Sequence, residues 1–147
     1  MIIMSVDVGD ARTGIAVCDK DELLASPVCV IEEYNSERRL EKVAQKAREL
    51  SAALVVVGLP KNMDGSEGER AKACRSFAES LSQALGDGIS VRLCDERATT
   101  MLAHTYLNIA DVRGRKRKKN VDAVAAVIIL EDFISLRRSS GKSKNEI

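Results

Sequence analysis

The apolar pattern of this chain predicts one mixed α/β domain, in the order β-β-β-α-β-α-β-α-α, with five strands in a mixed sheet and helices on both faces. Three observations carry that prediction. The first 31 residues hold three apolar runs of strand length joined by short connections, which favours an antiparallel meander. From Ser36 the apolar period changes to that of a helix. Leu54 to Val57 is then an unbroken β-branched run, as expected of a strand buried on both faces.

Met1–Val8 is the first strand, and Gly9 with Asp10, Ala11 and Arg12 makes a tight turn. Thr13–Cys18 and Leu23–Ile31 follow, the latter with Pro27, which suits an edge strand or a bulge. Leu40, Val43, Ala44, Ala47 and Leu50 recur at helical spacing, so Ser36–Ser51 is an amphipathic helix. The strand at Leu54–Val57 ends in a loop, Gly58 to Gly65. Ser66 and Glu69 have the spacing of a capping box, opening a helix with Ala71, Cys74, Phe77, Ala78, Leu81 and Leu85 on one side. Gly86 and Gly88 end it, and Ile89–Cys94 is the fifth strand before the polar turn Asp95-Glu96-Arg97. Thr99–Ile109 is expected to be helical, Arg113–Lys119 a basic loop, and Ala123–Leu130 a deeply packed helix opened by Asp122. The domain is expected to span 1–137, with a flexible Ser- and Lys-rich tail over 138–147.

The 147 residues can bury a proper core, and aromatics at 3% leave it to Val, Leu, Ile and Ala. The same scarcity argues against a surface of aromatic stacking platforms. A net charge of +1 means that any affinity for nucleic acid must come from local clusters. No apolar run reaches 18 residues, so neither a membrane span nor a secretory signal is expected. Cys18, Cys29, Cys74 and Cys94 match no zinc or redox spacing and suit buried thiols in a reducing cytosol; a Cys18–Cys29 bridge across a hairpin is conceivable but not required.

Three acids stand where folding does not ask for them. Asp7 interrupts an apolar strand and shares a face with Ile3 and Ser5. Glu96 follows the fifth strand. Asp122 precedes Ala125, Ala126 and Ile129 at helical spacing, on a stripe where an acid is costly unless compensated. Taken singly, Asp7 could close a turn, Asp95 and Glu96 could be solvated, and Asp122 could favour a helix dipole. Jointly they can converge at the ends of adjacent strands. Such a cluster suits Mg²⁺ or Mn²⁺, and two ions roughly 4 Å apart activate water against a phosphodiester. Six Lys or Arg within Arg113–Lys119 lie just before Asp122, in position to track phosphates rather than read bases.

Asp7-Val8-Gly9 with Arg12 and Gly14-Ile15-Ala16 resembles the opening motif of the YqgF/RuvX family of pre-16S rRNA nucleases and Holliday junction resolvase-like proteins. Val57 to Pro60 with Asn62 to Ser66, Asp95-Glu96-Arg97 with Thr99-Thr100, and Val121-Asp122-Ala123 with Ala125 to Leu130 resemble its later motifs, in order along nearly the whole chain. The resemblance implies a ribonuclease H-like fold with Asp7, Glu96 and Asp122 as catalytic and metal-binding acids. Asp95 is the fallback for the second acid, since strand parity does not separate it from Glu96 when both sheet faces are covered. A cytoplasmic bacterial protein acting in small-subunit rRNA maturation is implied, with relatives that resolve four-way DNA junctions. The residues expected against nucleic acid are Arg12, Lys61, Arg97, Arg113, Arg115, Lys116, Arg117, Lys118 and Lys119, together with Arg70. One departure from many junction resolvases is the alanine pair 125 and 126, where a further acid stands one turn after the helix Asp. A homodimer is compatible with junction cutting, which pairs two active sites. His104, the only histidine, is expected on a helix surface.

Two rivals remain at this level. A phosphate loop of an actin-like ATPase also begins Asp-x-Gly, but 147 residues leave no room for two lobes. A non-catalytic RNA-binding assembly factor could use the same fold, since fold alone does not carry function.

Overall fold

The computed structural model describes residues 1–62, 64–95 and 114–145, with side chains of the last helix described over 124–139. Five strands form one sheet, β1 (Ile3–Asp7), β2 (Arg12–Cys18), β3 (Ala25–Glu32), β4 (Leu54–Leu59) and β5 (Ser90–Asp95), in the spatial order β3-β2-β1-β4-β5. The meander is present: β1 pairs antiparallel with β2, and β2 with β3. β1–β4 and β4–β5 are parallel. β3 is an edge strand, and its ladder shifts register where Ala16 meets Pro27, so Pro27 sits where a missing N–H is tolerated.

Helix α1 (Ser36–Glu49) starts where expected, capped by Asn35, whose Oδ1 accepts from the Arg38 N–H at 2.9 Å. Helix α2 (Glu69–Leu85) does not use the expected capping box. Its N-cap is Gly68, with no side-chain cap, and Ser66 lies two residues before it, its Oγ donating to Asp64 Oδ1 at 2.6 Å and accepting from Asn62 Nδ2 at 2.9 Å. The last helix also departs from expectation. α3 spans Gly114–Asn145, so residues 114–119 are helical backbone and not a loop. Lys and Arg are good helix formers, and a charged run is no barrier to helix when its side chains stay solvated. Asp122 therefore lies in the third turn rather than opening the helix, beyond the reach of the N-terminal dipole. The sequence marks 138–147 as a tail; the helix itself continues to Asn145. The helix expected at 99–109, with His104, lies outside the described residues.

Two cores flank the sheet. On one face α3 contributes Ala126, Ile129, Leu130, Phe133 and Ile134 against Ile3, Ala16, Leu54, Val56 and Cys94. On the other, α1 and α2 cover Met4, Val6, Ile15, Val55 and Val57. β4 is buried along its whole length, as its β-branched run requires. All four cysteines are free, and burial raises the pKa of the Cys18 and Cys29 thiols, which keeps them protonated and unreactive.

Candidate active site

Alternation along the strands decides what faces α3. Ile3 belongs to the α3 core, and the Ser5 hydroxyl donates to the Ala126 carbonyl at 2.6 Å, so Asp7 at the end of β1 shares that face. Asp7 pairs across to Gly14 and is partly exposed. On β2 the same alternation sets Arg12 on the face of Ala16 and Cys18, at the level of β1's end, within 3.7 Å of Glu32. On β5, Cys94 faces α3, whereas Asp95 is in register with Leu59, which packs under α2. Asp95 therefore falls on the face away from Asp7. Glu96, Arg97 and Arg113 lie outside the described residues.

α3 runs against the direction of β1. Its Arg137 donates to Glu22 Oε1 at 2.9 Å in the β2–β3 turn, and Glu22 also accepts from the Met1 amine, so the later turns of α3 lie beside the start of β1. From the Ser5–Ala126 contact, Asp7 is two strand residues onward, about 6.6 Å. Asp122 is four helical residues back, about 6 Å in the same direction. Both steps run toward the same end of the sheet. Arg115, Lys116, Arg117, Lys118 and Lys119 precede Asp122 in the first turns of α3.

The turn after Asp7 is braced from the other side. Arg70 of α2 donates to the Val8 carbonyl at 3.1 Å, and Arg39 of α1 to the Asp10 carbonyl at 2.5 Å. Glu33 donates its N–H to the Ala11 carbonyl at 2.8 Å. Gly9 sits so close to the returning strand that a Cβ there would be 2.3 Å from the Arg12 carbonyl oxygen. Arg70, which the sequence suggests as a phosphate contact, thus commits one guanidinium N–H to the turn.

At the end of β4, Lys61 opens a loop closed on itself. Asn62 N–H donates to the Ser66 carbonyl at 2.8 Å, Gly65 N–H to the Asn62 carbonyl at 2.9 Å, and Ser66 N–H to Asp64 Oδ1 at 2.9 Å. Gly65 takes φ 90°, a conformation glycine adopts without penalty. Below it, Arg75 grips Glu67 through two bonds of 2.5 and 2.8 Å, which holds that carboxyl below its usual pKa.

α1, α2 and α3 all begin at this end of the sheet, where β1, β3, β4 and β5 finish. Their N-terminal dipoles therefore favour negative charge there. A hollow of about 660 Å³ lies on the far face, between α1 and α2 over Val8 and Gly9. Its rim carries Asp10, Glu37 and Glu69 against Arg39 and Arg70, so it does not concentrate positive charge. Asp7 stands on the other side of the sheet and does not line this hollow. No group of three metal-ligating side chains occurs among the described residues, and no helix among them is long and apolar enough to cross a membrane.

Comparison with known proteins follows the same lines. The family model described as RuvX, Holliday junction resolvase, matches residues 1–136. Relatives named "Putative pre-16S rRNA nuclease" include one from Streptomyces avermitilis, 38% identical over 97% of this chain and 91% of its own. Another from Myxococcus xanthus is 40% identical over 94% and 90%, and one from Bacillus cytotoxicus 39% over 91% and 98%. Among solved structures, Thermus thermophilus RuvC in complex with a Holliday junction substrate aligns with a TM-score of 0.58 at 12% identity, over 95% of this chain and 96% of that one. Fowlpox virus resolvase with Holliday junction DNA gives 0.56 at 12%, over 92% and 97%. At that identity the likeness establishes the fold, which is the ribonuclease H-like fold of these resolvases. The full-length family match and the identity to relatives of similar length make this chain a member of the RuvX family.

Proposed function

We propose that this chain is a divalent-metal-dependent nuclease that trims the precursor of 16S rRNA, with Asp7, Glu96 and Asp122 as its catalytic acids. The observation that carries the reading is the position of Asp7, on the α3 face at the end of β1, with the stretch of α3 that holds Asp122 running toward that same end from the Ser5–Ala126 contact. The register of Asp95, on the face opposite Asp7, favours Glu96 over Asp95 as the second acid. The donor set fits Mg²⁺ or Mn²⁺: the candidates are all carboxylates, the hard oxygen ligands these ions prefer. Gly58, in register with Cys94 on the same face and one residue beyond the pairing of Val6 with Val57, contributes no side chain to the floor between β1 and β5. When bound, such ions supply Lewis acidity at the scissile phosphate.

The chain's own residues do the rest. Asp7 holds its carboxylate at a sheet end anchored by the braced turn. Arg12, Lys61, Arg97, Arg113 and the cations Arg115 to Lys119 are the residues proposed to meet a phosphate backbone, in keeping with recognition by shape and charge. A cytoplasmic setting follows from that substrate. The family description favours a second reading, a four-way DNA junction as substrate cut by a homodimer.

Both are tested together. Wild type and Asp7→Asn are incubated with a structured 16S rRNA precursor and with a four-way DNA junction, each with Mg²⁺ or Mn²⁺. Defined cuts by wild type, abolished in Asp7→Asn, are expected, and the substrate cut faster decides between RNA and DNA. Equal cleavage by both proteins would remove Asp7 from the site. Binding without cleavage by either would favour a non-catalytic assembly factor.

A further inference from the structure

Ser5 is the one residue in the middle of β1 whose side chain is polar, and it is completely buried. A hydroxyl removed from water is costly unless it is hydrogen-bonded, and Ser5 meets that need by donating to the Ala126 carbonyl at 2.6 Å, across 121 residues of sequence. Among the described residues the rest of the α3–sheet contact is apolar, Ala126, Ile129, Leu130, Phe133 and Ile134 against Ile3, Ala16, Leu54 and Val56, and the other polar ties of α3 are those of Arg137 and Arg138 to Glu22 in the β2–β3 turn, at the opposite end of the sheet from Asp7. Apolar packing is non-directional and specifies the axial position of a helix only loosely. A single hydroxyl aimed at a single carbonyl is directional. Ala126, wholly buried and small, lets the helix backbone approach near enough for a serine to reach it.

We infer that Ser5 is a positioning residue, pinning α3 against β1 so that Asp122 comes level with Asp7. This rests on the reading of Asp7 and Asp122 as metal-binding acids. The distances support it: each acid lies about 6 to 7 Å from the pin in the same direction, two strand residues along one element and four helical residues along the other. A slip of one helical residue would displace Asp122 by about 1.5 Å, enough to spoil a shared carboxylate site.

The test is Mn²⁺ affinity, measured by electron paramagnetic resonance or calorimetry without substrate, on wild type, Ser5→Ala, Ser5→Thr and Ser5→Cys, with circular dichroism and melting recorded for each. Ser5→Ala is expected to keep the fold and weaken Mn²⁺ binding about tenfold, the scale on which residues orienting metal ligands act. Ser5→Thr, which keeps the hydroxyl, is expected to recover most of the affinity. If Ser5→Ala does not fold, Ser5→Cys, of similar volume and weaker donor strength, is expected to fold and bind Mn²⁺ more weakly than wild type. Wild-type affinity in a folded Ser5→Ala or Ser5→Cys would overturn the positioning role and leave the metal site standing. Absence of Mn²⁺ binding in wild type would overturn the metal-site reading, and the role of Ser5 with it.

Discussion

Replacing Gly9 with alanine puts the turn after Asp7 under direct load. The new Cβ would lie 2.3 Å from the Arg12 carbonyl oxygen, whereas ordinary contacts of this kind begin at 3.4 Å. The obstacle is backbone and cannot rotate aside, so the turn must give by about 1 Å. It is not free to give smoothly, because Arg39 and Arg70 hold the carbonyls of Asp10 and Val8. Overpacking of this sort costs about 1–3 kcal/mol of stability. A 1 Å misplacement of a reacting constellation can cost about 100-fold in rate, and Asp7 is only two residues away. The assay is single-turnover cleavage of the preferred substrate, with urea denaturation run in parallel. Gly68→Ala is the control, since a Cβ there meets nothing within 4 Å and no change in cleavage is expected. Gly9→Ala cleaving within threefold of wild type would refute the reasoning, because the strand would then have absorbed the displacement without moving Asp7.

Two further predictions concern stability alone. The Thr13 hydroxyl is fully buried with no hydrogen-bond partner, so Thr13→Val should be neutral or stabilising by about 1 kcal/mol; a loss above 1 kcal/mol in denaturant melts would contradict that. Glu22 has its pKa lowered chiefly by the hydrogen bond from Arg137. A depressed folded-state value means that the pairing stabilises above the unfolded pKa, near 4.3, and that this contribution is lost as pH falls through the folded value. Arg137→Gln should therefore cost about 0.5–1 kcal/mol at pH 7, with the difference closing in acid; a difference constant with pH would argue against it.

Much of this fold could be read from the chain because burial imposes a period. The meander, the buried strand at Leu54 and the face shared by Ile3, Ser5 and Asp7 follow from alternation alone. The failures have equally local causes. The basic run at 115–119 looks like a solvated loop because charge marks exposure but not backbone conformation, and those residues are helical. Ser66 has the spacing of a cap, yet the helix begins only after Gly68, and the Ser66 hydroxyl serves the loop by bonding to Asp64 and Asn62. The face of Asp95 could not be read from the chain, because it depends on the strand register and on which face α3 covers. The use of Ser5 was invisible, since its partner is a backbone carbonyl far along the chain, and no side-chain pattern advertises a carbonyl.

That distance has a consequence for the order in which the protein is made. β1 emerges from the ribosome first, and the carbonyl that Ser5 grips follows 121 residues later. At typical elongation rates of about 5–20 residues per second, roughly ten seconds pass between the two. Through that interval the sheet can form on α1 and α2 while one whole face of β1 stays uncovered. The proposed pair of Asp7 and Asp122 comes together only when α3 docks, the last and least local step of folding. A nuclease built this way would acquire its paired acids only after its last helix has been made.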